Sequence, residues 1–209
     1  MTISYPLAMP TVTNIRSIEL TATNAVSYSG SPFTFAGQAQ EFTGKMWQAT
    51  VTLPPMRRAA AEEWISFLLS LKGQVGTFNM GDPVAATPRG SARDSDSILV
   101  NGALTNGSAI NLDDCPAGQT GYLKAGDYLQ TGTGTSQQLF KVLADADTNS
   151  SGETTVDVWP NVRTTIADNS AVTVQSTKGI FRLASNETNW SVNEVAVYGM
   201  TFAAIEAVL

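Results

Sequence analysis

The sequence predicts a mainly β protein carrying one packed α-helix, and three observations predict it. Trp47, Ala49, Val51 and Leu53 alternate with Gln48, Thr50 and Thr52, the period of a strand with one buried face. Trp64, Phe67, Leu68 and Leu71 fall at i, i+3, i+4 and i+7, the single apolar stripe of a helix laid against a sheet. From residue 98 to 175 short apolar segments recur roughly every ten residues between Gly or Asn/Asp turns, which is the spacing of a small sandwich or barrel.

Residues 1–16 contain Pro6 and Pro10 and show no clean period, so they read as an arm of the kind that grips a neighbour. Ser17–Ala22 alternates Ile18, Leu20 and Ala22 with polar partners, and Ser31–Phe35 follows the turn-like Ser29-Gly30 as a second strand candidate. The strand Trp47–Leu53 ends at Pro54-Pro55, because proline supplies no ladder donor and drives its predecessor from helical angles. A helix follows from Ala59, with Glu62 and Glu63 in its early turns where the macrodipole favours negative charge, and closes at Lys72-Gly73. Val75–Met80 is a short strand ending at Gly81-Asp82-Pro83. These strands predict an antiparallel, sandwich-like sheet on which the stripe of Trp64 and Phe67 is buried, at about 1.5–3 kcal/mol per large side chain.

At residue 83 the composition changes to PVAATPRGSARDSDS, the texture of a surface linker. Strand candidates follow at Ile98–Val100, Ala109–Leu112, Tyr122–Leu123, Asp127–Gln130, Gln138–Leu143, Thr154–Trp159 and Ala171–Gln175, uninterrupted by any helix pattern. After Lys178-Gly179 the strands lengthen again, as Ile180–Ala184 and Glu194–Ala207, the latter apolar on both faces and suited to a central, doubly covered position. The organisation expected is one discontinuous domain, 1–83 with 179–209, into which 84–178 is inserted as a small β-barrel. No repeat of fixed period is visible.

The 209 residues are 43% hydrophobic and 14% charged, too apolar for disorder and long enough for one large or two small domains. No apolar run approaches the roughly 20 residues of a membrane helix, and MTISYPLAMP lacks the basic start and apolar core of a secretion signal. A soluble protein that stays where it is made is therefore expected, with no membrane partner. The net charge of −6 opposes tight nucleic-acid binding, which comes largely from neutralising phosphates with Lys and Arg.

Candidate chemistry is sparse. The chain has no histidine and a single cysteine, Cys115, which removes the Ser-His-Asp and Cys-His arrangements, the commonest zinc ligand and any internal disulfide. A carboxylate pair is the remaining enzymatic option: Asp113-Asp114, Glu62-Glu63, or Asp94 with Asp96. Adjacent acids on turns and helix faces are more commonly solvated surface. Asp145, Asp147 and Asn149 begin like a calcium loop, but Ser150 and Val156 stand where an EF-hand needs glycine and a bidentate glutamate, so a polar hairpin tip is expected. Gly132-Thr133-Gly134 precedes no helix and implies no phosphate cradle. Asn186-Glu187-Thr188 matches a glycosylation sequon but lacks a secretory context. Arg57-Arg58 and Glu62-Glu63 place opposite charges on one helix end, a solvated face or one side of a subunit contact. Tyr5, Trp190 and Tyr198 near the termini are core residues or partner anchors. No catalytic, cofactor-binding or metal-binding residue is assigned.

The run W-x-A-x-V-x-L-P-P at Trp47–Pro55, W-x-x-F-L-x-x-L-x-G at Trp64–Gly73, G-x-F-x-x-x-D-P at Gly76–Pro83, and the returning Phe181–Ala184, Trp190 and Tyr198-Gly199 resembles the distal tail proteins of long-tailed bacteriophages. Leu123–Gln130 (LKAGDYLQ), Lys141-Val142 and the Asp145–Asp147 segment are similar to the part inserted in that group. The likeness runs from about residue 40 to the end, and its motifs are structural. It implies a β-rich belt domain with one helix, a hexameric ring at the tail tip, and a peripheral barrel of OB-like or galectin-like type, the insertion here being closer to the OB-like one. The implied partners are the tail tube protein and the tail-tip or hub proteins, and the implied location is the virion after synthesis in the host cytoplasm. Two other functions stay open: a carbohydrate-binding host-recognition module, which needs exposed aromatics on the barrel, and a small glycan-cleaving enzyme, which needs a carboxylate pair in a cleft.

Overall fold

The computed structural model describes residues 3–208; the first two residues of the predicted arm, and residue 209, lie outside them. In chain order the elements are β1 (Leu7–Ala8), β2 (Ser17–Gly30), β3 (Gly37–Thr52), β4 (Met56–Arg57), α1 (Arg58–Ser70), β5 (Phe78–Met80), β6 (Leu99–Val100), β7 (Gly107–Asp113), β8 (Tyr128–Thr131), β9 (Gln138–Val142), β10 (Thr154–Val162), β11 (Val172–Thr173), β12 (Gly179–Leu183), β13 (Ser191–Val192), β14 (Val197–Gly199) and β15 (Thr201–Glu206). The protein is mainly β with one α-helix.

The first sheet has six strands in the order β1-β5-β12-β15-β3-β2. Its inner face supplies Trp47, Ala49, Val51, Phe78, Phe181, Leu183, Phe202 and Ala204, and α1 closes over it with Trp64, Phe67, Leu68 and Leu71. Trp64 is fully buried and meets Phe67 edge-on at 5.9 Å, while Phe67 meets Phe78 edge-on at 5.6 Å, the ring arrangement that aromatic quadrupoles favour. The helix stops where expected: Lys72 and Gly73 both turn to positive φ, and a side chain on Gly73 would strike Asn186.

The second sheet, β11-β8-β9-β10-β7-β6, curls into a nearly closed barrel. Its two edge strands approach through a bridge between Leu99 and Ala171, with Val172 N–H donating to the Ile98 carbonyl at 2.9 Å. The strand β10 shows why the sequence folds this way: Thr154, Val156, Val158, Pro160 and Val162 are buried, and the residues between them are exposed or half-buried. Chain enters and leaves this sheet at neighbouring points, since Met80 pairs with Gly179 and a side chain on Gly81 would strike the Thr177 carbonyl. A small third sheet, β13-β14-β4, covers the start of the helix.

The two large sheets are clamped together. Trp47 stacks edge-on against Trp159 at 4.4 Å and donates its indole N–H to the Leu139 carbonyl at 3.2 Å. Arg163 in the barrel reaches Glu206 at the end of β15 with two guanidinium nitrogens, and the backbone N–H of Trp47 donates to the same carboxylate at 2.9 Å.

Several expectations change. The arm is not free: β1 pairs in parallel with β5, and the Tyr5 hydroxyl donates to the Ser70 carbonyl at 2.6 Å. The strand expected over Ser17–Ala22 runs on to Gly30, and Ser31–Phe35 is a turn instead of a strand. Backbone ladder bonds alone hold this extension, so the side chains need no buried face and the alternation disappears. The outcome is a β2–β3 hairpin whose outer half leaves the body, with Phe33 92% and Phe35 88% exposed. Val75, expected in a strand, is exposed, and β5 is confined to Phe78–Met80. The Tyr122–Leu123 segment forms only a bridge from Leu123 to Ala146. Glu194–Ala207 divides into β14 and β15, and β15 is central but covered on one face, Thr201 and Ala203 being exposed while Phe202, Ala204 and Glu206 are buried. The first turn of α1 holds no acid; Glu62 lies one turn from Arg58 and pairs with it at 3.2 Å on an exposed face.

Candidate functional site

Of the carboxylates singled out in the sequence, Asp94, Asp96, Asp145 and Asp147 serve as acceptors for loop backbone. Asp94 Oδ1 takes the N–H groups of Val174 at 2.7 Å and Gln175 at 3.0 Å. Asp96 Oδ2 takes the Arg93 N–H at 2.9 Å and the Tyr122 hydroxyl at 3.0 Å. The calcium-like segment is spent in the same way: Asp145 accepts from Ala125 N–H at 2.8 Å, Asp147 from Gly121 N–H at 2.6 Å, and Asn149 closes its own hairpin onto Ser151 and Glu153. Among the described residues no group of three His, Cys, Asp or Glu is placed to hold a metal ion. Asp127, which the sequence did not single out, is buried and holds Arg89, Gly90 and Lys124 N–H groups at 2.7, 3.0 and 2.9 Å. It fixes the linker after β5 against the barrel.

Asp113 differs from the other acids. One of its carboxylate oxygens is buried without a partner, and desolvation, followed by Asp114, Asp168 and Glu153, raises its pKa above the ordinary 3.8. Because folding raises this pKa, the ionised carboxyl opposes folding above its folded value, and the opposition is absent below the unfolded value. Asp113→Asn is therefore expected to raise the Tm at neutral pH, with the gain vanishing as the pH falls below 3.8. Thermal melts at the two pH values check this; a lower Tm at neutral pH contradicts it.

Cys115 is buried, and desolvation pushes its thiol up to about 11. A thiol so protonated at neutral pH is a poor nucleophile or metal ligand, so it acts as a small core side chain beside Tyr122. The aromatics of the barrel are committed as well. Tyr122, Tyr128 and Phe140 are buried, and half-buried Trp159 lies on Trp47 and donates its indole N–H to Asn24 at 2.7 Å. They offer no flat ring to a sugar.

A run of exposed apolar residues, Val26, Tyr28, Phe33, Phe35 and Phe42, lies instead on the β2–β3 hairpin. Val26 faces Glu41 and Tyr28 faces Ala39 across the ladder on one side, while Ser27 with Gln40 and Ser29 with Gln38 occupy the other. At the tip the Ser31 side chain accepts the N–H groups of Phe33 and Thr34, both at 3.3 Å, and the Ser31 N–H donates to the Ala36 carbonyl at 2.9 Å. Phe33 and Phe35 are thus held outward on an ordered turn. The sequence carries a signal for this, two aromatics inside a Gly30–Gly37 bracket, which strand propensity alone turns into an extended segment. Trp190, expected as core or anchor, is partly exposed at the opposite end of the same strand pair, whereas Tyr198 and Tyr5 pack against the core. No helix among the described residues is long and apolar enough to cross a membrane. Compared with known proteins, the chain matches no family model and no curated sequence.

Proposed function

We propose that this chain is a structural component of a long-tailed bacteriophage, forming a hexameric ring at the distal end of the tail. The ring joins the tail tube protein to the tail-tip or hub proteins and surrounds the path of the DNA. The observation that carries the reading is the convergence of the residues of the resemblance: Trp47, Leu53, Trp64, Leu68, Phe78 and Phe181 build one core, and the second sheet enters the chain between β5 and β12, where the resemblance places an insertion. The net charge of −6 suits a conduit, since a basic lumen would hold phosphates electrostatically. The buried aromatics of the barrel weigh against sugar binding, and the engagement of Asp94 and Asp96 by loop N–H groups weighs against glycan cleavage by that pair.

A ring of this kind is heterologous: each subunit offers one surface to a different surface of its neighbour, and a fixed rotation closes the circle. Cryo-electron microscopy of a tail that contains the chain is expected to resolve it as a symmetric ring around the channel. A single copy on the tail periphery, or glycan hydrolysis by the purified chain, would overturn the proposal.

A further inference from the structure

Two features lie at opposite ends of the same pair of strands. One is the aromatic hairpin tip with Phe33 and Phe35. The other is an open groove of about 470 Å3 at the far end of β2 and β3, lined by Arg16, Leu53, Pro55, Trp190 and Met200 among others. Ser17 pairs with Thr52 beside this groove, and Gly30 pairs with Gly37 at the tip. The 16 residues of β3, at about 3.3 Å each, put the two roughly 50 Å apart along the ladder. The tip therefore cannot reach the groove of its own chain.

We infer that the hairpin tip seats in this groove on a second copy of the chain, joining copies head to tail. The chemistry is complementary. Pro55 and Trp190 give exposed apolar lining, Trp190 a ring for edge-to-face contact, and Arg16 a guanidinium able to lie over a phenylalanine face. The turn closed by Ser31 presents Phe33 and Phe35 already ordered, which reduces the entropy lost on docking.

Charge selects the occupant. Between Asn24 and Gly44 the only charged residue is Glu41, and it is paired with Lys45 at 2.7 Å. The hairpin has no free cation to meet nucleic acid or anionic lipid. In a chain of net charge −6 it is an exposed neutral segment that can approach another acidic copy without repulsion. The contact is heterologous, as ring closure requires; the inference rests on the ring reading for closure alone.

The test uses the full-length purified chain with a photoreactive benzoylphenylalanine in place of Phe33. Irradiation across a concentration series is expected to yield dimers and higher species whose cross-linked peptides contain Trp190 or Leu53–Pro55 of another copy. Phe33→Ser/Phe35→Ser and Trp190→Ser are each expected to weaken self-association by about tenfold or more, with Tm nearly unchanged for the phenylalanine pair because these two side chains are exposed, and combining them with Trp190→Ser is expected to add little. Cross-links that map elsewhere, or none at the highest soluble concentration, overturn the inference. A particle ring closed through other surfaces would leave the proposed function standing and remove this contact; head-to-tail chains of the pure protein without a ring in the tail would do the reverse.

Discussion

Replacing Trp64 by alanine is expected to lower the stability of the fold by about 3–5 kcal/mol, a large share of the roughly 5–15 kcal/mol that holds a domain together. The indole is fully buried between α1 and the first sheet. It meets Phe67 at 5.9 Å and Phe202 at 6.2 Å, and its N–H donates to the Thr13 hydroxyl at 3.1 Å. Truncation removes the transfer energy of the ring, leaves a cavity that the rigid strands beneath cannot fill, and frees the segment that Thr13 anchors. Trp64→Phe keeps most of the packing and loses the hydrogen bond, so a smaller loss of roughly 1–2 kcal/mol is expected. Urea unfolding of both variants checks this, with the midpoint falling further for alanine. Equal midpoints for Trp64→Ala and the parent would mean that the helix stripe does not hold the sheet.

That stripe was legible in the sequence because its information is local. A helix with one buried face must repeat its apolar residues every three to four positions, and a strand with one buried face every second position. Trp47, Ala49, Val51 and Leu53 obey the second rule and Trp64, Phe67, Leu68 and Leu71 the first, and both sets are buried as read. The barrel strands were legible through the Gly and Asn/Asp turns that separate them, although β10 runs past the expected Thr154–Trp159 to Val162 and Tyr122–Leu123 makes only a bridge.

The outer hairpin was not legible because nothing there is buried on either face. Between Asn24 and Gly44 the ladder is held by backbone bonds, which leave no trace in side-chain pattern, and a register shift between Asn24 and Val26 breaks what alternation remains. The aromatic pair Phe33 and Phe35 carried strand propensity, which describes a preference for packed, pleated surfaces. Here Phe35 sits at φ 56° on a turn closed by a serine hydroxyl. The candidate acids were legible as residues but not as partners: Asp94 and its acceptor duty toward Val174 lie 80 positions apart. Only the folded chain brings such pairs together.

The clamp between the sheets carries the second large expected effect, since Arg163→Met is expected to cost about 3–5 kcal/mol. Glu206 is buried at the end of β15, its side chain 3% exposed, and Arg163 supplies the compensating charge from the barrel. The two residues are 43 positions apart in sequence, and the contact spans the two large sheets. Removing the guanidinium leaves a carboxylate that has given up water and retains only the Trp47 N–H. Arg163 also donates to the Lys45 carbonyl at 2.9 Å, so the root of the hairpin loses an anchor in the same step. The pair itself is imperfect, because the Arg163 Nε is buried without an acceptor. The net worth of the bridge is therefore smaller than the cost of breaking it. Arg163→Met with Glu206→Gln is expected to recover most of the loss, since glutamine keeps an acceptor for Trp47 N–H and carries no charge. A double-mutant cycle read by urea unfolding measures this coupling. Additive losses would show that Arg163 and Glu206 act independently, and that Trp47 with Trp159 and Leu139 holds the barrel to the sheet by packing alone.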